Sequence, residues 1–322
     1  MLAVQAREAG GPEVLEVIEV ETPAPDPGSI LVRHAAVGLN FIDTYQRSGL
    51  YPVNLPQVLG SEAAGIVEAV GEGVTRFAVG DRVAYSGSLG AYAEAHVVLA
   101  GRAVRVPDAI PLDIAAASLL KGMTAEFLLR RCYPLKAGET CLIHAAAGGV
   151  GQILVQWAKS LGATVIATAG GPEKLQIAGD LGADHLIDYK TEDVAARVRE
   201  ITGGAGVPVA YDSVGEATFE ATLGSLAKRG LFVSFGNASG PVPAFAPLRL
   251  SRAGSLYLTR PTLFDYTATT EELDESAAAL FAVIASGQVA VTIGQRFALK
   301  DAAKAHTALE GRATTGSTVL EP

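Results

Sequence analysis

Cysteine is almost missing from this chain, with Cys132 and Cys141 the two thiols among 322 residues. Their spacing fits neither a metal-ligand pattern nor a disulfide framework, which excludes cysteine-built zinc modules and disulfide-stapled folds. Cys141 lies in an apolar run and reads as a small buried hydrophobe. A basic excess is missing too. Lys and Arg number 25 against 34 Asp and Glu, a formal charge of −9. That balance argues against general binding to nucleic acid or to an anionic membrane. No apolar stretch reaches the ~18 residues of a membrane span. The opening segment MLAVQAREAGG has no basic stretch leading into an apolar core, so no signal peptide is expected. A soluble, cytoplasmic protein is expected.

What is plentiful is glycine, at 36 residues, within a chain that is 49% hydrophobic and has a mean hydropathy of +0.30. Such a composition suits an α/β enzyme with well-buried strands. The length allows two domains, each with its own core.

The stretch Gly138–Lys174 organises the rest. Thr140, Cys141, Leu142 and Ile143 form a short apolar run that predicts a buried strand. A turn almost without side chains follows, Ala146-Ala147-Gly148-Gly149-Val150-Gly151. Gln152–Leu161 carries Ile153, Val155, Trp157 and Ala158 at helical spacing, Gly162 stops the helix, and Thr164–Ala167 is the next strand. A helix start offers unpaired N–H groups and a positive dipole end, and small residues let a pyrophosphate approach. Strand, glycine turn, helix and strand together predict a dinucleotide site in a βαβ unit, although Ala146 stands where the fingerprint has its first glycine.

Residues 1 to about 120 read as short strands broken by Gly and Pro, which predicts a partly open barrel. The runs are Val14–Val20, Ile30–Val37, Gly65–Gly71, Asp81–Tyr85 and His96–Leu99. One helix is expected from near Pro111 and another from near Met123. Beyond the glycine turn, strands Asp184–Tyr189, Val207–Ser213, Leu231–Phe235 and Ser255–Thr259 alternate with helices Glu192–Ile201 and Thr218–Lys228. Six strands with helical crossovers predict a doubly wound parallel sheet. Thr269 and Glu272 are spaced as a capping box for a helix from about Glu271 to Ala285.

The full chain resembles the zinc-free quinone oxidoreductases, the zeta-crystallin branch of the medium-chain dehydrogenase/reductase superfamily. The residues that carry the likeness include Gly138-Glu139, Leu142, Ala146–Gly149, Gly151, Gln156 and Lys159. Asn40–Tyr45, Arg47–Tyr51, Tyr211–Gly215 and Ser234–Asn237 add to it. The resemblance implies a GroES-like catalytic domain, 1–123 and 264–322, around a Rossmann domain, 124–263, with a cleft for NADPH. It also implies a homodimer pairing the segment Gly254–Thr259 edge to edge.

Zinc-dependent relatives place cysteine where Asn40 stands and histidine where Ser61 stands, and an amide and a hydroxyl are poor zinc ligands. His34, His96, His144, His185 and His306 are scattered and read as packing or surface residues. A metal-free enzyme is therefore expected. Lacking a Lewis acid, it should act on a substrate that accepts hydride easily, a small quinone. An NADPH-dependent reductase of α,β-unsaturated carbonyls, and a nucleotide-bound structural or RNA-binding protein of the zeta-crystallin kind, are the alternatives.

The second strand of the βαβ unit ends Ala167-Thr168-Ala169-Gly170-Gly171, without the carboxylate that NAD enzymes use on the ribose. Lys174 is placed to meet a 2′-phosphate, with Glu173 beside it as a competing charge. By resemblance, Gly148, Gly149, Val150, Gly151, Gly170 and Tyr189 contact the cofactor. Thr124, Phe235, Gly236, Thr259, Arg260 and Arg312 match further contacts, and Asn40 and Tyr45 match residues lining the nicotinamide end; with Tyr51 they fall on a segment of the first domain expected to be loop-rich and to cover the reacting end. Each position taken alone also fits a structural role.

Overall fold

Ser29–Leu39 is the longest strand, and its alternation leaves Arg33 and Ala35 exposed while the other positions are buried. The computed structural model describes all 322 residues. This strand pairs antiparallel with Glu62–Val70 along one edge. Its other edge is shared: the first half takes Ala95–Leu99 and the second half takes the C-terminal strand Ser317–Glu321. Arg82–Ser86, Ala103–Arg105 and Ile293–Ala298 complete a seven-stranded sheet. Leu2–Ala6, Leu15–Glu19 and Gln57–Val58 form a smaller one. A register shift falls between His34 and Ala36, opposite Gly65, where an added Cβ would lie 1.9 Å from the Arg33 carbonyl oxygen. Only glycine fits that bulge. Val4, Ile30, Val37, Leu59, Tyr85 and Leu320 fill the core of this unit, which comprises Met1–Met123, Thr267–Ser286 and Val291–Pro322.

The second unit, Thr124–Tyr266 with Gly287–Ala290, is built on six parallel strands. Their spatial order is His185–Asp188, Thr164–Ala169, Thr140–Ile143, Val207–Asp212, Leu226–Ser234 and Tyr257–Thr259. The order reverses between the third and fourth strands listed, where a crevice opens in doubly wound sheets. Leu142, Ile166, Ile187, Ala210, Phe219 and Phe232 pack together, as the buried faces of a parallel sheet require. The fold is thus a GroES-like unit plus a Rossmann-type six-stranded sheet. No helix is long and apolar enough to cross a membrane.

Three local expectations are corrected. The two helices expected from Pro111 and Met123 are one, α2 (Leu112–Phe127), running into a turn of π-helix, Leu128–Cys132. Gly122 does not break it. A Cβ there would sit 2.2 Å from Leu280, so glycine admits the close approach of the helix Thr270–Ala285. The helix expected over Thr218–Lys228 shrinks to Phe219–Ser225, because Leu226 already pairs with Val207 in the sheet. The segment carrying Asn40 and Tyr45, expected to be loop-rich, is a strand end and a helix, α1 (Phe41–Ser48). Gly49 closes that helix in the left-handed region, φ 81°. The expected capping box of Thr270–Ala285 is present: Thr269 Oγ1 accepts the Glu272 N–H at 3.2 Å, and Glu272 Oε2 accepts the Thr269 N–H at 3.1 Å.

Candidate active site

The glycine turn follows directly on the strand Thr140–Ile143 and opens α3 (Gly149–Ser160). Gly148 is the N-cap residue and brings no side chain to the first-turn N–H groups, so that end of the helix dipole is left for an anion. Gly151 is needed for packing: a Cβ there would be 2.3 Å from the Ala145 carbonyl oxygen and 2.8 Å from Ala146 Cα. Ala146 replaces the first fingerprint glycine without strain, because the left-handed residue of the turn is its neighbour Ala145, φ 51°. Gln152 Nε2 ties the turn down by donating to the Ala147 carbonyl at 2.9 Å.

On the adjacent strand the chain leaves Thr164–Ala169 through Gly170 and Gly171 into α4 (Pro172–Asp180), with Glu173 and Lys174 in its first turn. Gly171 has φ 97°. A Cβ on Gly170 would fall 2.5 Å from the Tyr189 hydroxyl, so the half-exposed Tyr189 ring lies across a position kept bare for it. One carboxylate near this edge escaped the sequence reading. Asp188 sits in register opposite Ala169, at the end of the neighbouring strand. Its Oδ1 accepts the Gly171 N–H at 3.2 Å and the Lys190 N–H at 3.0 Å, so it is committed to holding the loops.

Because the strands are parallel and in register, their C-terminal ends form one edge. The structure brings the glycine turn, Gly170, Tyr189, Phe235, Gly236, Thr259 and Arg260 to that edge. Gly236 is pressed against the backbone, with a hypothetical Cβ 2.4 Å from the Ser213 carbonyl oxygen. Thr124 lies buried on the last part of α2, and Arg312 follows the helix Ala302–Glu310 in the other unit, with φ 57°. His144, read from sequence as a packing or surface residue, ties the strand Thr164–Ala169 to the helix Phe219–Ser225 beneath the turn. Its Nδ1 meets Thr168 Oγ1 at 3.0 Å and its Nε2 meets Thr222 Oγ1 at 3.0 Å. Thr222 in turn donates to Asp212 Oδ2 at 2.8 Å. Burial lowers the His144 pKa, which keeps the ring neutral.

In the first unit Asn40 caps α1 and is buried. Its Nδ2 donates to Glu62 Oε2 at 2.8 Å and weakly to the Gly38 carbonyl at 3.4 Å. Glu62 is fully buried and also accepts the Leu120 N–H at 2.6 Å and Lys121 Nζ at 3.2 Å. One turn along α1, the half-buried Tyr45 meets Tyr51 edge-on, with ring centroids 5.3 Å apart. The Tyr51 N–H donates to the Tyr45 carbonyl at 3.0 Å, which fixes the pair. Asn40, Tyr45 and Tyr51 therefore lie on and beside one short helix.

The same residues answer whether zinc could sit here. The Asn40 amide nitrogen is spent on Glu62, and the Ser61 hydroxyl donates to Gln46 Oε1 at 3.4 Å. No group of three or more His, Cys, Asp and Glu side chains is arranged to hold a metal ion. The donor set does not fit zinc. It does fit a dinucleotide: the open start of α3 and the bare positions 148, 151, 170 and 236 make the cradle a pyrophosphate and its sugars need.

A Rossmann-type unit with this turn, carried on one chain with a GroES-like unit, defines a medium-chain dehydrogenase/reductase. Residues 26–108 match the alcohol dehydrogenase GroES-like domain, and residues 149–283 match the family described as zinc-binding dehydrogenase. A quinone oxidoreductase of Pseudomonas aeruginosa is 55% identical over 321 residues, 99% of each chain. The structure of Escherichia coli quinone oxidoreductase complexed with NADPH is 50% identical and covers 100% of each chain, with a TM-score of 0.98. A 2-haloacrylate reductase from a Burkholderia species is 43% identical over 330 residues, covering 100% of this chain and 99% of its own. The chain belongs to the quinone oxidoreductase family of the medium-chain dehydrogenases and reductases.

Proposed function

We propose that this protein is an NADPH-dependent, zinc-independent oxidoreductase that reduces a small quinone. The unit made from both chain ends acts as the catalytic domain and the central unit as the NADPH-binding domain. The observation that carries the reading is the uncapped start of α3 above a sheet edge where the carboxylate of the neighbouring strand, Asp188, is already bound to backbone amides. NADPH, when bound, supplies the hydride.

The chain's own residues bind and orient. The N–H groups of Gly149, Val150 and Gly151 face the pyrophosphate beside the bare Gly148, whose own N–H donates to the Ala145 carbonyl at 3.0 Å, while Gly170 and Tyr189 take the adenosine side. Lys174 pairs with the 2′-phosphate. Phe235, Gly236, Thr259 and Arg260 line the strand ends, and Thr124 and Arg312 complete the set. Asn40, Tyr45 and Tyr51 belong to the reacting end, where a positioned donor stabilises the oxygen on which negative charge develops.

A second reading, reduction of activated alkenes, is favoured by the likeness to the 2-haloacrylate reductase. An RNA-binding role is disfavoured by the net charge of −9. A homodimer is supported by the edge strand Tyr257–Thr259, which pairs on one side only and leaves Tyr257 62% exposed. The small-molecule chemistry and the charge suit the cytoplasm. NADPH absorbance with 1,4-benzoquinone, 2-chloroacrylate and a saturated aldehyde, before and after exhaustive chelation, tests the reading. Quinone turnover that survives chelation is expected. Turnover of the aldehyde alone, abolished by chelation, overturns it.

A further inference from the structure

Asp43 stands at the third position of α1 and reaches back over the helix start. Its Oδ2 accepts the Asn40 backbone N–H at 2.9 Å and the Tyr92 hydroxyl at 3.0 Å. The contacts continue beyond Tyr92. Tyr92 Oη meets His306 Nε2 at 2.8 Å, and His306 Nδ1 meets Arg47 Nη1 at 3.1 Å. Arg47 then grips Glu310 through two bonds, 2.9 and 2.7 Å. Asp43, Tyr92, His306 and Arg47 are all buried, and Glu310 reaches solvent.

Chemistry sets the direction of this chain. A guanidinium only donates, so His306 Nδ1 must accept. Burial, followed by the charge of Arg47, holds the His306 imidazole at a pKa of about 3, so the ring is neutral and its proton sits on Nε2. Nε2–H therefore donates to Tyr92, and the one Tyr92 proton is left for Asp43. Burial raises the Tyr92 pKa well above its ordinary value, so it remains a donor. Every dipole in the chain points its positive end at Asp43.

Asp43 itself is wholly buried, and its Oδ1 makes no hydrogen bond. Burial pushes its pKa up to about 7, against the bonds from Asn40 and Tyr92 and the charge of Lys121. The ionisable groups around it are Arg47 on its own helix, Tyr92, Lys121 on α2, Glu62 on the neighbouring strand, and His306 and Glu310 on the helix Ala302–Glu310. A proton can settle on Oδ1 without displacing any existing bond. A carboxylate accepts hydrogen bonds about twice as strong as a neutral acid does.

We propose that Asp43 is a positioning residue for Asn40, its charge supported by Arg47 through His306 and Tyr92, and that taking up one proton at Oδ1 slackens the anchor on Asn40. The consequence for catalysis rests on the proposed role of Asn40 at the reacting end. The anchoring itself does not.

Two readouts separate those claims. In the protein without cofactor, the Asn40 backbone ¹⁵N–¹H resonance should titrate with a midpoint near pH 7 and be flat in Asp43→Asn. With NADPH and 1,4-benzoquinone, kcat/KM should fall below the same midpoint, and this limb should vanish in Asp43→Asn. Tyr92→Phe removes one donor to a charged acceptor and should raise both midpoints by about one pH unit. An Asn40 resonance that is flat in the wild type, or a midpoint unmoved in Tyr92→Phe, overturns the proposal whatever the substrate. A titrating resonance that moves in Tyr92→Phe, in a protein that turns over no quinone, supports the anchor and removes the quinone reading alone. Should Asp43→Asn fail to fold, the Tyr92→Phe shift decides.

Discussion

Lys121 Nζ lies 3.2 Å from Glu62 Oε2, and both side chains are almost wholly withdrawn from solvent. Glu62 also holds the Asn40 amide and the Leu120 N–H, so one buried carboxylate joins the α1 cap to α2. Removing one member of a buried pair leaves an uncompensated charge, at a cost of about 3–5 kcal/mol. Glu62→Ala should lose that much stability, read as a fall in the urea midpoint. Glu62→Ala combined with Lys121→Met should recover most of it. Equal losses in the single and double variants would show that the two charges are not coupled.

The buried histidines predict how the protein responds to acid. Burial pushes His34 and His96 to a pKa of about 4 and His306 to about 3, and lowers His144 as well. A depressed histidine pKa means that the folded state prefers the neutral ring. The stability it contributes is present above the unfolded value, near 6.5, and is lost as pH falls toward 4. Each ring adds up to about 1.4 kcal/mol per pH unit in that window. Asp43, raised to about 7, has the opposite sign: its contribution is full below the unfolded carboxyl value and is lost as pH rises through 7. Three or four histidines outweigh one aspartate, so the thermal midpoint should drop steeply below about pH 6. A midpoint flat from pH 7 down to 4 would contradict this.

The parts of the fold that sequence makes legible are those whose signal is local. Strand, glycine turn and helix lie within a few tens of residues, and the small residues at 148 and 151 are set by what touches them. The Thr269–Glu272 box is equally local. Asn40 and Asp43 carry the spacing of a helix cap, yet the surrounding glycines and prolines read as loop, and α1 goes unseen. The Asp43–Tyr92–His306–Arg47 chain has no local signature at all, because Tyr92 and His306 are 214 positions apart. His144 is similar: it is read as a packing or surface residue until Thr168 and Thr222 are found on either side. Asp188 stands one strand over from where a ribose carboxylate is sought, and only the register with Ala169 places it at the site's edge.

Cofactor preference should follow Lys174 and Asp188. Asp188 Oδ1 is held by two backbone amides, so that oxygen is not offered to a bare ribose 2′-hydroxyl at this edge. Lys174, on the first turn of α4, supplies charge for a phosphate. A hydrogen bond to a charged group contributes about 1.5–3 kcal/mol, which is roughly one to two decades in affinity. Lys174→Ala should weaken NADPH binding by that amount, measured by fluorescence titration, and leave NADH nearly unchanged. Equal losses for both nucleotides would take Lys174 away from the phosphate.

Tyr45 and Tyr51 are the phenols beside the α1 start, and their edge-on contact at 5.3 Å keeps each ring in place. A quinone that accepts hydride gathers negative charge on one oxygen, so a neutral donor aimed there lowers the barrier. A phenol hydroxyl donates a hydrogen bond without giving up its proton. Tyr45→Phe preserves the ring and its packing against Tyr51 while deleting the donor. Loss of one neutral hydrogen bond implies a fall in kcat/KM for 1,4-benzoquinone of about tenfold or less. NADPH affinity should stay close to wild type, because the ring contacts are unchanged. Asn40→Ala should cost more, since it also strips a donor from the buried carboxylate of Glu62. If Tyr45→Phe binds NADPH poorly yet turns over quinone at the wild-type rate once saturated, Tyr45 serves the cofactor or the packing of α1, and the donor is another group.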